Sequence, residues 1–317
     1  MFESFELLIN SLKELGLYLV NPGQRIFYLY LISTLLIASA FFWIKEKRKN
    51  FLSFFKFLFP KKIWLDRSAK QDYQLLVINK IIRNLLLAPA LIAAAPIALS
   101  ITQSLEWIFG IITPITQSKS IAVFSFTLIL FILDDLSRFL LHWLLHHVPW
   151  LWEIHKVHHS AKVLTPFTVY RSHPIENYLF ACRLAFAQGL SIGFCFYLFG
   201  PLISVYEIAG ANVFVFLFNM AGANLRHSHI WLSWGKGIEK WFISPAQHQI
   251  HHSDNPKHFD ANLGSALAIW DRMTGSLILA NEVGRLRFGV GGKFIDYQNL
   301  IEIYWLPIKS IITKKNT

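Results

Sequence analysis

Cysteine and charged residues are scarce in this 317-residue chain. Its two cysteines, Cys182 and Cys195, both lie in an apolar stretch, so we expect neither a disulfide framework nor a thiolate metal site. Charged residues make up 15% of the sequence, less than a soluble globular domain usually carries, whereas 54% is hydrophobic. Because the apolar residues are gathered in long runs, the sequence predicts an integral membrane protein.

The apolar runs predict an all-α fold with about four transmembrane helices in two hairpins. The candidate runs are 26–43, 84–103, 120–141 and 177–222, the last of which is broken by Gly200 and Pro201 into a helical hairpin. The polar segments after the third run would form a cytosolic helical cap. We treat the chain as one domain, divided into N-terminal spans and a basic loop, a catalytic core and a cytosolic tail. These parts are 1–119, 120–280 and 281–317.

Basic residues outnumber acidic residues by 30 to 19, and nine of them lie between Lys45 and Lys70. A basic loop beside a membrane span marks the cytoplasmic side and favours anionic lipid head groups. We therefore attribute the net charge of +11 to membrane topology and expect no nucleic-acid partner. With this loop in the cytoplasm, the predicted spans place 142–176 and 227–252 on the cytoplasmic side as well.

Histidine is absent from the first 141 residues and frequent afterwards, with thirteen in total. Residues three and four apart share one face of a helix, so a group with this spacing can point several imidazoles at one place. Imidazole is a common neutral ligand of iron, zinc and copper, and eight histidines exceed the needs of one tetrahedral zinc. The pattern therefore predicts two metal ions in a shared cage. The three groups with this spacing are His142-x-x-x-His146, His155-x-x-His158-His159 and His248-x-x-His251-His252.

Five of the thirteen histidines lie outside these groups. His173 is either a ligand or a structural hydrogen-bonding residue. His227 is preferred over His229 as a residue that points at the metals. His147 and His258 are expected either at the surface or as residues that support the ligands, and His258 looks like a solvated loop residue.

Asp135 lies seven residues, or two helical turns, before His142 in an otherwise apolar run. An acid at such a position is costly and usually has a function. We predict that its carboxylate accepts a hydrogen bond from a ligand imidazole and fixes the tautomer of that ring.

The order of these motifs on a multispan chain resembles that of the fatty acid hydroxylase/sterol desaturase superfamily. The resemblance covers roughly residues 120–280, whereas residues 1–110 show only generic membrane character. Four further segments also look like segments of this superfamily. They are Arg171-Ser-His173-Pro174-Ile-Glu176, Asn224-Leu-Arg-His227-Ser, Asn262-Leu-Gly264 and Trp270-Asp271-Arg-Met-Thr-Gly275.

This resemblance implies a non-haem di-iron site that uses O2 and two electrons. Its reaction would be hydroxylation or desaturation of a lipid such as a sterol, a fatty acyl chain or an ether lipid. Asn224, His229 and Asp271 would support the ligands together with Asp135, and zinc could replace iron during overexpression. The implied ligands are His142, His146, His155, His158, His159, His173, His227, His248, His251 and His252.

The resemblance also bears on partners and location. The sequence has no His-Pro-Gly-Gly haem motif, so we expect a separate electron donor, either a cytochrome b5-like or a ferredoxin-like reductase system. A bacterial inner membrane is favoured over the endoplasmic reticulum.

Two other classes of protein remain as alternatives. A zinc-dependent membrane hydrolase usually carries His-Glu-x-x-His, which does not occur here, and neither Glu153 nor Glu176 has the matching spacing. A metal transporter or sensor would place its ligands inside the spans, near the middle of the membrane. Here the histidines cluster at the ends of the predicted spans.

Overall fold

The computed structural model describes residues 2–45, 50–84, 93–205, 207–208, 211–284, 286–292, 294 and 296–314. The regular secondary structure of this part is helical apart from one antiparallel pair of two-residue strands, β1 (Glu207–Ile208) and β2 (Ala211–Asn212). Short helical turns cover Pro166–Tyr170, Gly200–Leu202, Ala223–His227, Pro256–His258 and Ala280–Glu282. The helices are α1 (Phe2–Leu17), α2 (Tyr28–Lys45), α3 (Phe51–Leu58), α4 (Lys61–Trp64), α5 (Arg67–Ile82), α6 (Ala94–Phe109), α7 (Lys119–His147), α8 (Pro149–His159), α9 (Pro174–Phe199), α10 (Val213–Met220), α11 (Gly235–Glu239), α12 (Pro245–His251), α13 (Ile269–Thr274) and α14 (Leu300–Lys314).

Three of the described helices are long and apolar enough to cross a membrane. They are α2, α7 and α9, the last counted together with the helical turn that follows it, to Leu202. Two of them, α2 and α7, coincide with the predicted runs 26–43 and 120–141. The described part of the chain thus has three candidate spans, where the sequence predicted about four in the whole chain.

The predicted span 84–103 differs from the helix that the structure shows there. Helix α6 begins at Ala94 and continues to Phe109, and residues 85–92 lie outside the described part of the chain. Its 16 residues are about 24 Å long at 1.5 Å per residue. A spanning helix needs about 20 residues, so α6 alone is too short to cross.

The predicted hairpin 177–222 is correct only in its first half. The chain does not return from Gly200 as one long helix, since residues 203–205 are not helical and the strand pair β1–β2 follows. The side chain of Asn212 then accepts a hydrogen bond from the backbone N–H of Phe214, at 3.0 Å, and caps a new helix. The Asn212 amide also donates to the carbonyl of Thr127 on α7, at 3.1 Å. Helix α10 therefore begins at Val213, and its eight residues are too few to span a membrane.

Helix α6 packs closely along α9 at two glycines that lie four residues apart on one helix face. A Cβ atom on Gly193 would lie 2.5 Å from the carbonyl oxygen of Ala98, and one on Gly189 would lie 2.6 Å from the Cβ of Ile97. The hydroxyl of Thr102 donates to the carbonyl of Gly193 at 3.1 Å. Small residues at this spacing let helix backbones approach closely, as is common in membranes.

The elements that carry the histidines meet at one end of α7. Helix α7 ends at His147, α8 follows at once, and α9 then packs back along α7. Helix α12 packs against the helical turn Ala223–His227. Near the C-terminal end of the described chain, Ile303 of α14 is buried against Val157 of α8 in a common apolar cluster. Segments far apart in sequence thus enclose the same region.

The contact between α6 and α9 can be tested with Gly193→Ala. The added methyl group would meet backbone rather than a flexible side chain, so we expect a loss of about 1–3 kcal/mol in the free energy of unfolding. Gly237→Ala is the matched control, because a Cβ there has no neighbouring atom within 4 Å. Thermal unfolding in detergent measures both variants. Equal stability of the two variants would contradict the close approach of the helices.

Candidate metal centre

Nine histidines lie in two clusters, and the ligand atoms within each cluster are all within 4.8 Å of one another. Helices α7, α8 and α12 supply the first cluster, whereas α8, the turn Ala223–His227, and α12 with the residue that follows it supply the second. The first cluster contains His142, His146, His155, His159 and His251. The second cluster contains His158, His227, His248 and His252.

Each His-x-x-His-His motif is divided between the two clusters. On α8, His155 and His159 face the first cluster and His158 faces the second. On α12 the pattern is inverted, with His248 and His252 in the second cluster and His251 in the first. Residues four apart share a helix face, and the histidine between them points to the neighbouring site.

The two clusters are in direct contact. The rings of His159 and His252 stack with their centroids 4.8 Å apart, and those of His251 and His252 lie 5.4 Å apart. Two metal ions bound here would therefore share one histidine cage.

Backbone carbonyls fix the tautomer of three of the rings. The Nδ1–H groups of His142, His158 and His251 donate to the carbonyls of Leu263, Arg171 and Ala261, at 2.7, 3.0 and 2.9 Å. A carbonyl oxygen can only accept, so the proton of each neutral ring must lie on Nδ1. The Nε2 atom of each ring then has a lone pair that is available to a metal ion.

In the first cluster, two carboxylates also accept Nδ1 protons and so fix the tautomer of a ring. The Nδ1–H of His155 donates to Glu176 Oε1, and that of His146 donates to Asp260 Oδ1, both at 3.0 Å. A carboxylate in this position orients a ligand imidazole and makes it more basic. The sequence predicted neither acid as a partner of a ligand, because 21 and 114 residues separate the partners.

The lone pairs of the first cluster have no protein partner in the described chain. The Nε2 atoms of His146, His159 and His251 are buried without a hydrogen bond. The Nε2 atoms of His142 and His155 lie 3.1 Å apart, although the proton of each ring is on its Nδ1. Converging lone pairs repel one another unless a cation lies between them, so these residues fit a bound metal ion.

The second cluster has the same character. His227 Nε2 lies 3.0 Å from the Nε2 atoms of both His248 and His252. Two nitrogens at right angles on one ion, each bonded at about 2.1 Å, are about 3.0 Å apart. The spacing therefore suits neighbouring positions around a single metal ion.

Burial keeps the clustered imidazoles neutral, as metal ligands must be. Loss of hydration lowers the pKa of His158 to about 4, although its hydrogen bond to the carbonyl of Arg171 acts in the opposite direction. For the other clustered rings outside the candidate spans, burial is again the largest cause and neighbouring histidines add to it. Their pKa values lie well below the usual range, and the rings are His155, His159, His227, His248, His251 and His252.

The loop 260–263, which accepts three of the ligand hydrogen bonds, is itself tightly held. Asp260 and Asn262 have positive φ angles of 57° and 54°, a conformation that residues other than glycine seldom adopt. The Asn262 amide donates to the carbonyls of Gln247 and Ile278, at 3.1 and 3.0 Å. These bonds fix the position of Ala261, which lies between the two strained residues. They thereby also fix the Ala261 carbonyl, which accepts a hydrogen bond from His251.

Asp271 holds the next part of this loop. Its two carboxylate oxygens accept from the backbone N–H groups of Leu263 and Gly264, at 2.8 and 2.7 Å. Since the carbonyl of Leu263 accepts from His142, Asp271 supports a ligand through one intervening residue. Asp271 was predicted to support the ligands, and in the structure it contacts the backbone that holds His142.

Asp135 does not bind an imidazole, and this prediction was wrong. Its carboxylate accepts from the backbone N–H groups of Ala266 and Leu267, at 2.8 and 3.0 Å, and from the indole N–H of Trp270, at 2.9 Å. Asp135 on α7 points towards the loop rather than towards the clusters. Its part is to tie that loop to the helix that carries His142.

His173 lies outside both clusters, and both of its ring nitrogens are occupied. Nδ1 accepts from the backbone N–H of Ile175 and caps α9, whereas Nε2–H donates to the carbonyl of Tyr304 at 3.1 Å. Of the two possibilities left open by the sequence, the structure places His173 as a structural hydrogen-bonding residue. No lone pair remains on this ring for a metal.

The remaining predicted positions also lie outside the clusters. His229 donates from Nε2 to the carbonyl of Phe57 at 2.7 Å, and the Asn224 amide donates to the carbonyl of Arg25 at 2.8 Å. His147 is exposed, as expected. His258, predicted to be solvated, is buried with 9% of its surface exposed.

A cavity of about 220 Å³ adjoins both clusters. Its wall includes His142 and His155 of the first cluster and His158 of the second, together with the apolar side chains of Val169 and Phe180. We call it the metal-side cavity. A molecule in this cavity would lie against both sets of ligands at once.

The loop tether can be tested with Asp135→Asn. An amide has only one acceptor oxygen, so Ala266 or Leu267 would lose its partner and the loop beside His142 would loosen. We expect the affinity for added Fe²⁺ or Zn²⁺ to fall about 10-fold or more, as for other residues that orient metal ligands. Asp296→Asn, which changes an exposed ion pair with Lys162, is the matched control. An unchanged metal affinity in a folded Asp135→Asn protein would refute the tether.

Comparison with known proteins gives consistent matches over this region. A family model described as fatty acid hydroxylase matches residues 127–276. The Delta(7)-sterol 5(6)-desaturase of Leptosphaeria maculans is 31% identical over 153 residues, which are 47% of this chain and 35% of that protein. The alkylglycerol monooxygenase of Caenorhabditis elegans is 26% identical over 140 residues, which are 44% of this chain and 24% of that protein. No solved structure gives a significant match.

A mammalian relative matches to a similar extent. The lathosterol oxidase of Mus musculus is 28% identical over 142 residues, which are 45% of this chain and 41% of that protein. The matched segment thus spans less than half the length of each of these relatives. The matched family region nevertheless includes all nine clustered histidines. The region that holds these residues is similar to fatty acid hydroxylases and sterol desaturases.

Proposed function

We propose that this protein is a membrane-bound non-haem di-iron oxygenase that uses O2 and two electrons to hydroxylate or desaturate a C–H bond of a lipid. The observation that carries the proposal is the pair of adjacent all-imidazole clusters, in the first of which buried Nε2 atoms converge without a hydrogen-bond partner. Iron is proposed rather than zinc because zinc has no redox chemistry. The relatives are named as a desaturase, an oxidase and a monooxygenase, all of which catalyse oxidations.

An aliphatic C–H bond needs a stronger oxidant than any side chain, and two bound irons would supply it by activating O2. The protein contributes a set of neutral ligands held in place before the metal arrives. The carbonyls of Leu263, Arg171 and Ala261 hold three of the rings, and the carboxylates of Glu176 and Asp260 hold two more. Rigid ligands reduce the rearrangement needed when the metals bind.

The metal-side cavity is the proposed place of the substrate. Val169 and Phe180 contribute apolar surface to it, and His142 and His158 bring both clusters to its surface. Because His142 lies near the end of a candidate membrane span, a lipid could reach the cavity without leaving the bilayer. Sterols, fatty acyl chains and ether lipids are the proposed substrate classes.

Electrons and location form part of the same proposal. We propose a cytochrome b5-like or ferredoxin-like donor as the source of the electrons. The histidine site would face the cytoplasm, in a bacterial inner membrane rather than the endoplasmic reticulum.

His251→Ala and His158→Ala test the proposal, since each removes one ligand from one of the two clusters. We expect about two irons per wild-type chain, one for each cluster, and less iron in each variant. Lipid-dependent O2 uptake should fall to background in both variants, because both irons are needed. Elemental analysis and an oxygen electrode measure the two effects.

His147→Ala is the matched control, because His147 is an exposed histidine of α7 outside both clusters. It should keep both iron and O2 uptake. Full activity in His251→Ala or His158→Ala would overturn the di-iron proposal. A wild-type chain that binds only zinc, and consumes no O2 after iron reconstitution, would do so as well.

A further inference from the structure

Three arginines line the metal-side cavity next to the histidine clusters. Arg25 lies just before α2, Arg138 lies on α7 one turn before His142, and Arg226 lies beside His227. The Arg226 side chain is buried, with 6% of the residue exposed. Three cationic side chains around one cavity are unusual in a protein whose proposed substrates include neutral lipids.

Two of these guanidinium groups have only neutral acceptors in the described chain. Arg25 donates to the amide oxygen of Asn219, and Arg226 Nη2 donates to the carbonyl of Ser265 at 2.7 Å. Neither arginine forms an ion pair among the residues described. The Nε atom of Arg226 is buried without any partner.

The third guanidinium group is only weakly paired. Arg138 Nη2 lies 3.4 Å from Asp134 Oδ2, and its side chain is 38% exposed. Asp134 forms a shorter ion pair with Arg183, whose Nη1 donates to Asp134 Oδ1 at 2.8 Å. Arg183 does not line the cavity, so the acid mainly balances a charge elsewhere.

Glu176 is the acid in the wall of the cavity, and its Oε1 accepts a hydrogen bond from His155. The histidine ligands are neutral, and any bound metal ions would add positive charge. Burial, followed by repulsion from Arg138, lowers the pKa of Arg25 to about 10. An excess of buried positive charge is costly unless an anion accompanies it.

We propose that the metal-side cavity binds a lipid with an anionic head group, a carboxylate or a phosphate, held by Arg25, Arg138 and Arg226. Guanidinium groups recognise both of these oxyanions through paired charge-assisted hydrogen bonds. The position of Arg138 favours a lipid over a soluble anion, because a long cationic side chain near the end of a span reaches head-group level.

This assignment deepens the proposed function and rests on it in one respect. If the clusters oxidise the bound lipid, the carbon that reacts lies close to the anionic head group. His142 and Arg138 are one helical turn apart and line the same cavity, so the head group and the metals are neighbours. Oxidation deep in an acyl chain, far from its polar end, does not fit this arrangement.

Lipid binding by the purified full-length protein in neutral detergent tests the assignment. The probes are phosphatidate, oleate, phosphatidylcholine with the same acyl chains as the phosphatidate, and inorganic phosphate. We expect phosphatidate or oleate to bind at least about 10-fold more tightly than phosphatidylcholine, the effect of one charge-assisted hydrogen bond. Tighter binding of phosphatidate would identify the recognised group as a phosphate, and tighter binding of oleate would identify it as a carboxylate.

Arg138→Gln is the first variant, because Arg138 is partly exposed and its loss costs folding least. It should bind the preferred anionic lipid about 10-fold more weakly while its affinity for phosphatidylcholine stays the same. Arg25→Gln should behave in the same way and provides a second, independent variant. The control is Arg287→Gln, which removes an equal charge from a side chain that is 86% exposed and outside the cavity.

Equal binding of phosphatidate, oleate and phosphatidylcholine by the wild-type protein would overturn the assignment. An unchanged preference for anionic lipid in both cavity variants would also overturn it. If inorganic phosphate competes as strongly as phosphatidate, the cavity binds a free anion and the lipid assignment is wrong. These measurements need no turnover, so a protein without iron would contradict the proposed function and leave this result intact.

Discussion

The structure depends on one arrangement, in which ring nitrogens of nine imidazoles converge on two adjacent points inside the protein. Unprotonated nitrogens brought this close repel one another, and burial removes the water that could otherwise satisfy them. The arrangement is held by bonds on the opposite side of the rings. Carbonyls and carboxylates accept the Nδ1 protons, so each of those rings has its lone pair directed inwards.

The surrounding fold provides these acceptors. The loop after α12 supplies the carbonyls of Ala261 and Leu263, and it is strained at Asp260 and Asn262. Strained backbone persists only where the surroundings compensate for it. Here Asp135 and Asp271 do so, through four backbone N–H groups in the same loop, so acids that never touch the clusters determine where the ligands lie.

Much of the site could be predicted from the sequence because helical spacing is a local property. The three histidine groups, the use of His227 and the two long spans α2 and α7 all follow from patterns within a few turns. Partners brought together by the tertiary fold left no such pattern. The bonds from His146 to Asp260 and from His155 to Glu176 join different elements, and nothing in the spacing predicted them.

The failures have the same physical origin. Asp135 was assigned to an imidazole because two helical turns separate it from His142, but its direction is set by a loop more than 130 residues later in the chain. The return half of the hairpin looked long enough to span, and the cap formed by Asn212 interrupts it. Apolar composition alone could not show that a single amide begins a new helix there.

The division of each His-x-x-His-His motif between two clusters has a consequence for metal binding. Helices α8 and α12 each carry ligands for both clusters, so neither helix can be fixed at one cluster and left free at the other. An ion bound through His155 and His159 would also restrict the residual motion of His158. Binding at one cluster would therefore favour binding at the other, and two ions would load cooperatively.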